Sequence, residues 1–329
     1  KGGARVGPTD RPPICACQGS RLLMPEFRVW SSTSPFRADI LNDRVALATG
    51  GGSGIGFEVA RQLGLHGAAL VLMGRRERFL QDACDILSRE GVRVTHSAGD
   101  VRKPEDCQRC VQKAVDSYGF LNVVVNSAAG MFPASMGETL SSNGFKTVMD
   151  IDVMGTYNMN ISALPEIKKT GQSVIINITV PRHFLEGRNW WVGHMQSAKA
   201  AITTMSHAQA KEWAEYGIRV CNVGPGSIAD TPAQLKTGST AGITTKAKHV
   251  TKEGIPIHRG VPLGRMGKSF EIGMAVVFLC VSEYITAETI VVDGGWWLGA
   301  ERPGPSRESL GALTRANEGR SRALRPSDA

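Results

Sequence analysis

The sequence predicts an α/β fold: a single doubly wound domain on a seven-stranded parallel sheet. Three observations lead there. Short Val- and Ile-rich runs alternate with amphipathic stretches of helical length between residues 37 and 299. Most of these runs are apolar almost throughout, as strands covered on both faces must be. The first of them leads into a glycine-rich string with a helical pattern behind it.

The elements follow in order. Val45–Thr49 is the first strand, and a helix over Phe57–Leu65 follows the glycines. Ala69–Met73 is the second strand. Arg76–Glu90 reads as a helix with Phe79, Ala83, Ile86 and Leu87 on its core face. Val92–His96 is the third strand. The next helix, Pro104–Tyr118, opens on a proline suited to a first helical turn and stops at Gly119. Val123–Asn126, Ser173–Ile178, Ile218–Val223 and Thr289–Val292 complete the sheet, and long helices are expected around 142–170 and 195–216. Residues 1–36 (rich in Pro, Gly and Ser) and 300–329 (rich in Arg, Pro and Ser) read as flexible tails.

Composition narrows the function. With 42% hydrophobic residues the chain is too apolar for a disordered protein, and no run of about 18 apolar residues suggests a membrane helix. Seven irregularly spaced cysteines do not form a secreted disulfide framework. Cys107 and Cys110 read as two thiols on a helix rather than a metal or redox site, and no metal is expected. The net charge of +8 invites a polyanionic partner. However, residues 37–301 hold 27 basic against 25 acidic residues, so the excess lies in the ends. Nucleic acid is therefore not an expected partner. The local cations suit phosphorylated small molecules instead.

The string Thr49-Gly50-Gly51-Gly52-Ser53-Gly54-Ile55-Gly56 stands between the first strand and the first helix. Glycines there let the backbone approach a pyrophosphate, and the helix N-terminus supplies N–H donors and a positive dipole end. This is the context in which such a string marks a Rossmann-type dinucleotide site. The second strand ends at Gly74 and runs into Arg75 and Arg76. An NAD site usually places an acid here for the ribose 2′-hydroxyl, whereas arginine forks a 2′-phosphate. The expected cofactor is therefore NADPH/NADP+.

With these motifs in place the chain resembles the short-chain dehydrogenase/reductase family over nearly all of 37–299. Gly50, Gly54 and Gly56 match that family's cofactor turn, with Gly52, Ser53 and Ile55 between them. Asp100-Val101 resembles the adenine-contacting pair. Asn126-Ser127-Ala128-Ala129-Gly130 resembles the Asn-Asn-Ala-Gly segment. Pro225, Gly226, Ile228 and Thr231 resemble the run that covers the nicotinamide, and Val292-Asp293-Gly294-Gly295 the last strand and turn. The resemblance implies that Asn126, Ala128, Gly130 and Lys199 also bind the cofactor, and that the chain forms a homotetramer.

The departures are informative. The family's Tyr-x-x-x-Lys keeps Lys199, but Met195 replaces the Tyr. Val180 stands at the Ser position and Asp152 at the Asn position. Ketone reduction needs an acid to protonate an alkoxide, whereas reduction of a conjugated carbon–carbon double bond protonates carbon. A carboxylate and a water suffice for that.

These departures, with the octet Phe145–Asp152, resemble the branch of the family that reduces 2,4-dienoyl-CoA thioesters in peroxisomes. The resemblance implies an active pair of Asp152, orienting a proton-donating water, and Lys199. It places Arg102, Phe132, Ser141, Ser142 and Asn143 against acyl-CoA, with Lys236 toward the CoA phosphates. The segments Phe184–Trp191 and Leu235–Pro262 would cover the acyl entrance. It implies a peroxisomal location, although the chain ends in Ser327-Asp328-Ala329, which is not an SKL-type signal; the cytoplasm is the other location expected.

Other readings stand beside it. The alternatives are another enoyl- or 3-oxoacyl-thioester reductase of the family, with the missing Tyr counting against the 3-oxoacyl case and Asp152 against the enoyl one, or a catalytically dead NADP-binding relative. Asp152 has a structural reading as a helix cap or ion pair, and His194 either relays protons or packs. Trp190-Trp191 either lines the acyl pocket or packs. Trp296-Trp297 is expected at a subunit contact or at the substrate mouth.

Overall fold

The computed structural model describes residues 33–130, 136, 138–181, 192–231, 258 and 260–298. Phe132, Trp190, Trp191, Lys236, the segment Phe184–Trp191, most of Leu235–Pro262 and nearly all of both tails lie outside the described residues.

Seven parallel strands form one sheet in the order β3-β2-β1-β4-β5-β6-β7. They are β1 Val45–Thr49, β2 Ala69–Gly74, β3 Val94–Ala98, β4 Val123–Asn126, β5 Ser173–Ile178, β6 Ile218–Pro225 and β7 Thr289–Val292. The helices are α1 Gly54–Leu65, α2 Glu77–Arg89, α3 Pro104–Tyr118, α4 Ser142–Met149, α5 Gly155–Ile167, α6 Gly193–Trp213 and α7 Ser269–Val281.

The two-residue period of the strands divides the core. Ala46, Ala48, Leu70, Leu72, Val123 and Val125 face α1, α2 and α7. Val45, Leu47, Ala69, Val71 and Val124 face α3, α5 and α6. Two apolar layers thus bury β1, β2 and β4 from both sides, which is why those strands carry so few polar residues.

Three expectations need correction. β3 begins two residues later than predicted, because Val92 is a helix-end residue: its N–H bonds the Leu87 carbonyl, and a Cβ on Gly64 would collide with its side chain. The buried face of α2 is Leu80, Ala83, Cys84 and Leu87, an i, i+3, i+4, i+7 ridge; Phe79 and Ile86 lie exposed beside it. The stretch expected as a long helix over 142–170 is interrupted. Asp150–Met154 is a π-helical turn between α4 and α5, and such turns widen the backbone by one residue and re-aim side chains.

The strand order reverses between β1 and β4, so their carboxyl ends open a crevice at the switch point, where α/β sheets bind ligands. One polar row crosses the sheet there. Thr49, Asn126, Asn177, Asn222 and Thr289 are direct cross-strand partners. Asn126 Nδ2 donates to Asn177 Oδ1 (2.9 Å) and to Asn160 Oδ1 on α5 (2.7 Å). Asn177 Nδ2 donates to Ser206 Oγ on α6, which donates to Asn222 Oδ1. Asn160 Nδ2 reaches Gln209 Oε1 on α6. Each such buried bond contributes roughly 1 kcal/mol when made and costs more when one partner is lost. The row therefore fixes α5 and α6 against the strand ends that carry the site.

Candidate active site

The glycine turn comes first because it is a backbone structure. Gly50 has φ +67° and Gly54 φ +59°, both left-handed. A Cβ on Gly56 would collide with the Gly50 carbonyl oxygen, so the turn closes only around glycine. A Cβ on Gly52 would press on the Phe79 backbone at 3.3 Å. A Cβ on Gly50 would in turn meet the Ser127–Ala128 backbone at 2.9–3.0 Å. The N–H groups of Ser127 and Ala128 both donate to Thr49 Oγ1 at 3.1 Å. Sequence reasoning missed this role of Thr49, because only the strand register sets it opposite Asn126.

Ser53 precedes α1 without a side-chain cap, and no acidic residue lies in the first turn of α1. That helix end therefore keeps its dipole and N–H donors for an anion, which fits a dinucleotide pyrophosphate. Ile55 and Gly56 follow within the same turn.

At the next strand end, Arg75 and Arg76 are exposed. The guanidinium of Arg76 lies 3.7 Å above the Phe79 ring. Across from them, Arg102 turns back on Asp100, with Nε 3.0 Å from both carboxylate oxygens and Nη2 on Oδ2. Desolvation is the largest single influence on the Asp100 carboxyl and raises it, but the hydrogen bonds and charge of Arg102 together outweigh it and hold the carboxyl below its usual range. The Val101 carbonyl accepts from Asn158 Nδ2 on α5.

The π-helical turn carries Asp152 into the protein interior, where it is fully buried. Its Oδ1 accepts the Gly130 N–H at 2.6 Å, and Oδ2 lies 3.3 Å from Lys199 Nζ. Lys199 Nζ also donates to the Ile178 carbonyl at the end of β5, at 3.0 Å. Desolvation raises the Asp152 pKa, and this outweighs the downward pull of Lys199 and of the Gly130 N–H. The pair therefore sits where Gly130 after β4, Ile178 of β5 and α6 converge. Met195 is half-buried and Val180 buried at the two places expected to lack a hydroxyl.

The remaining residues divide. Gly226 follows β6, bonds the Val292 carbonyl, and lies so close to Asp293 that a Cβ would meet its Cα at 2.6 Å. Pro225 ends β6 opposite Val292. Ile228 bridges Gly267, and Thr231 Oγ1 bonds the Ile228 carbonyl. Ser141 caps α4 by accepting the Gly144 N–H, with Ser142 and Asn143 exposed beside it. His194 is fully buried on the first turn of α6. Cys107 and Cys110 are buried thiols on α3, and burial pushes Cys107 up to about 12. Trp296 packs edge-on against His258, while Trp297 is exposed.

A parallel sheet with a glycine cradle at its switch point and an ionisable pair beside it defines a nicotinamide-dependent oxidoreductase of the Rossmann class. Residues 50–297 match the family described as Enoyl-(Acyl carrier protein) reductase. The peroxisomal 2,4-dienoyl-CoA reductase ((3E)-enoyl-CoA-producing) of Arabidopsis thaliana is 41% identical over 301 residues, 88% of this chain and 96% of that one. The enzyme of the same description from Danio rerio is 38% identical, covering 81% and 85%. Among solved structures, the citronellol catabolism dehydrogenase of Pseudomonas aeruginosa PAO1 superposes with TM-score 0.67 at 26% identity, over 80% of this chain and 99% of that one. The chain belongs to the short-chain dehydrogenase/reductase family.

Proposed function

We propose that the protein reduces 2,4-dienoyl-CoA thioesters to trans-3-enoyl-CoA with NADPH, in the breakdown of unsaturated fatty acids. The observation that carries this reading is the buried Asp152–Lys199 pair at a site with Met195 and Val180 in place of hydroxyl donors. Bound NADPH supplies the hydride that adds to the δ carbon. The chain's part is to hold the thioester, stabilise negative charge on its oxygen, and protonate the α carbon.

Lys199 is the cation near that oxygen and toward the nicotinamide ribose. Asp152 keeps a proton to higher pH than an ordinary carboxyl, and passes it through a water to the α carbon. With the hydride at δ and the proton at α, the remaining double bond lies between the β and γ carbons. The C=O is regenerated, so no hydroxyl acid is needed.

On this reading the turn from Gly50 to Gly56 holds the pyrophosphate, and Arg75 and Arg76 the 2′-phosphate. Asp100 and Val101 meet the adenine; Asn126, Ala128, Gly130 and Lys199 serve the ribose side. Pro225, Gly226, Ile228 and Thr231 lie over the nicotinamide. Arg102, Ser141, Ser142 and Asn143 line the approach of acyl-CoA. The reading carries a homotetramer and a peroxisomal location with it; the exposed Met154, Tyr157 and Ile161 form an apolar stripe suited to a subunit contact.

The test is turnover with NADPH on three thioesters: a 2,4-dienoyl-CoA, a trans-2-enoyl-CoA and a 3-oxoacyl-CoA, with product analysis. Preferred turnover of the dienoyl-CoA to a trans-3-enoyl product is expected. Preferred turnover of either other thioester, or tight NADPH binding without any turnover, overturns the reading.

A further inference from the structure

Phe79 is an exposed aromatic on an otherwise charged helix start, and neither the core nor the reaction uses it. Its position is specific. Arg76 is the residue before α2, and its carbonyl accepts the Phe79 N–H at 3.1 Å. Helical side chains lean toward the N-terminus, so a residue three positions on lies beside the one before the helix. The Phe79 ring accordingly underlies the Arg76 guanidinium at 3.7 Å. The Phe79 backbone also abuts Gly52 of the cofactor turn. One residue thus joins the two strand ends that would receive the pyrophosphate and the 2′-phosphate.

We infer that Phe79 is a specificity-determining positioning residue, a platform that presents Arg76 to a ribose 2′-phosphate; the inference rests on the NADPH reading above. Stacking engages only the face of the guanidinium and leaves its edge N–H donors free for a forked contact with phosphate. An arginine held on a ring also has less rotamer freedom to lose when the phosphate arrives. Phe79 makes no contact that a cofactor lacking the 2′-phosphate would exploit through Arg76. Its effect therefore falls on NADPH and not on NADH.

The experiment measures equilibrium dissociation constants of NADPH, NADH, 2′,5′-ADP and 5′-ADP on the full chain and four variants. Phe79→Leu is expected to weaken NADPH and 2′,5′-ADP by about two- to fivefold, the size of an exposed cation–aromatic contact. NADH and 5′-ADP should keep their affinities, and Phe79→Tyr, which restores a ring face, should restore the phosphate-bearing ligands. Arg76→Ala should reduce the preference for NADPH, and adding Phe79→Leu to it should cost nothing further. Equal weakening of NADH in Phe79→Leu would overturn the inference by assigning Phe79 to the glycine turn. So would unchanged NADPH affinity in that variant while Arg76→Ala alters discrimination. If discrimination is unchanged in Arg76→Ala, the inference falls with the role of Arg76; if the unaltered chain binds NADPH no more tightly than NADH, the NADPH reading itself falls.

Discussion

Two aspartates in this molecule each face a cation, and their carboxyls shift in opposite directions. Asp100 is held by Arg102 in an accessible fork after β3, and its pKa falls. Asp152 faces Lys199 in the interior, and its pKa rises. The partner has the same sign of charge in both cases. The difference is solvent: desolvation opposes ionisation at both sites, but only at Asp152 does it exceed what the cation and hydrogen bonds return. A neighbouring cation therefore leaves one carboxyl easier to ionise than usual and the other harder.

The largest effect should come from Lys199→Met, which removes the cation from the buried pair. Turnover of a dienoyl-CoA should fall by about a hundred- to a thousandfold, the range for losing an electrostatic stabiliser. Steady-state kinetics at saturating NADPH check it, and a loss below tenfold would break the contrast between the two pairs. Gly56→Ala should follow. Its methyl must displace the Gly50 carbonyl, and NADPH affinity should drop at least about tenfold, a cost of about 1–3 kcal/mol for overpacking. Fluorescence titration reads this, with a melting curve to show that the variant folds.

The pH profile sharpens the comparison. If protonated Asp152 is needed, kcat falls as pH rises through its folded pKa, which lies above the ordinary carboxylate value of about 3.9. Lys199 draws that value down, so the residual activity of Lys199→Met should lose its alkaline limb only at higher pH. A limb that stays in place contradicts the coupling. The smallest effect belongs to the exposed pair. Arg102 is 41% exposed, so Arg102→Ala should cost at most about 1 kcal/mol of stability. Asp100 is depressed in the folded state, so its contribution is present above about pH 4 and vanishes as pH falls through its folded value. Denaturant melts of both proteins at pH 7 and in acid should diverge at the first and converge in the second.

The sequence made the framework legible where a residue type had a single structural use. β1, β4, β5 and β7 lie where their apolar runs placed them, and Pro104 and Gly119 bounded α3 correctly. Val92 misled because an apolar residue serves a helix end as well as a strand. α7 buries Ser269, Ile272, Gly273, Val276, Val277 and Cys280 at helical spacing, but Met274, Ala275, Phe278 and Val281 on its other face are apolar too, so the sequence shows no helical period. Of the site, Asp152 and Lys199 were legible as a pair only through the spacing of family motifs. Their contact depends on the π-helical turn at Asp150–Met154 and on the Ile178 carbonyl, and backbone geometry of that kind leaves no mark in a one-dimensional pattern. The row from Thr49 to Thr289 was hidden for a related reason. Each Asn looks ordinary in its own strand, and only the register makes them neighbours.

The central claim is that buried Asp152 governs protonation of the substrate. It is tested most directly by dienoyl-CoA turnover in Asp152→Ala, with NADPH binding measured in parallel on the same samples. The account predicts a fall in kcat of about a hundred- to a thousandfold while NADPH still binds. Turnover at the level of the unaltered protein would contradict it.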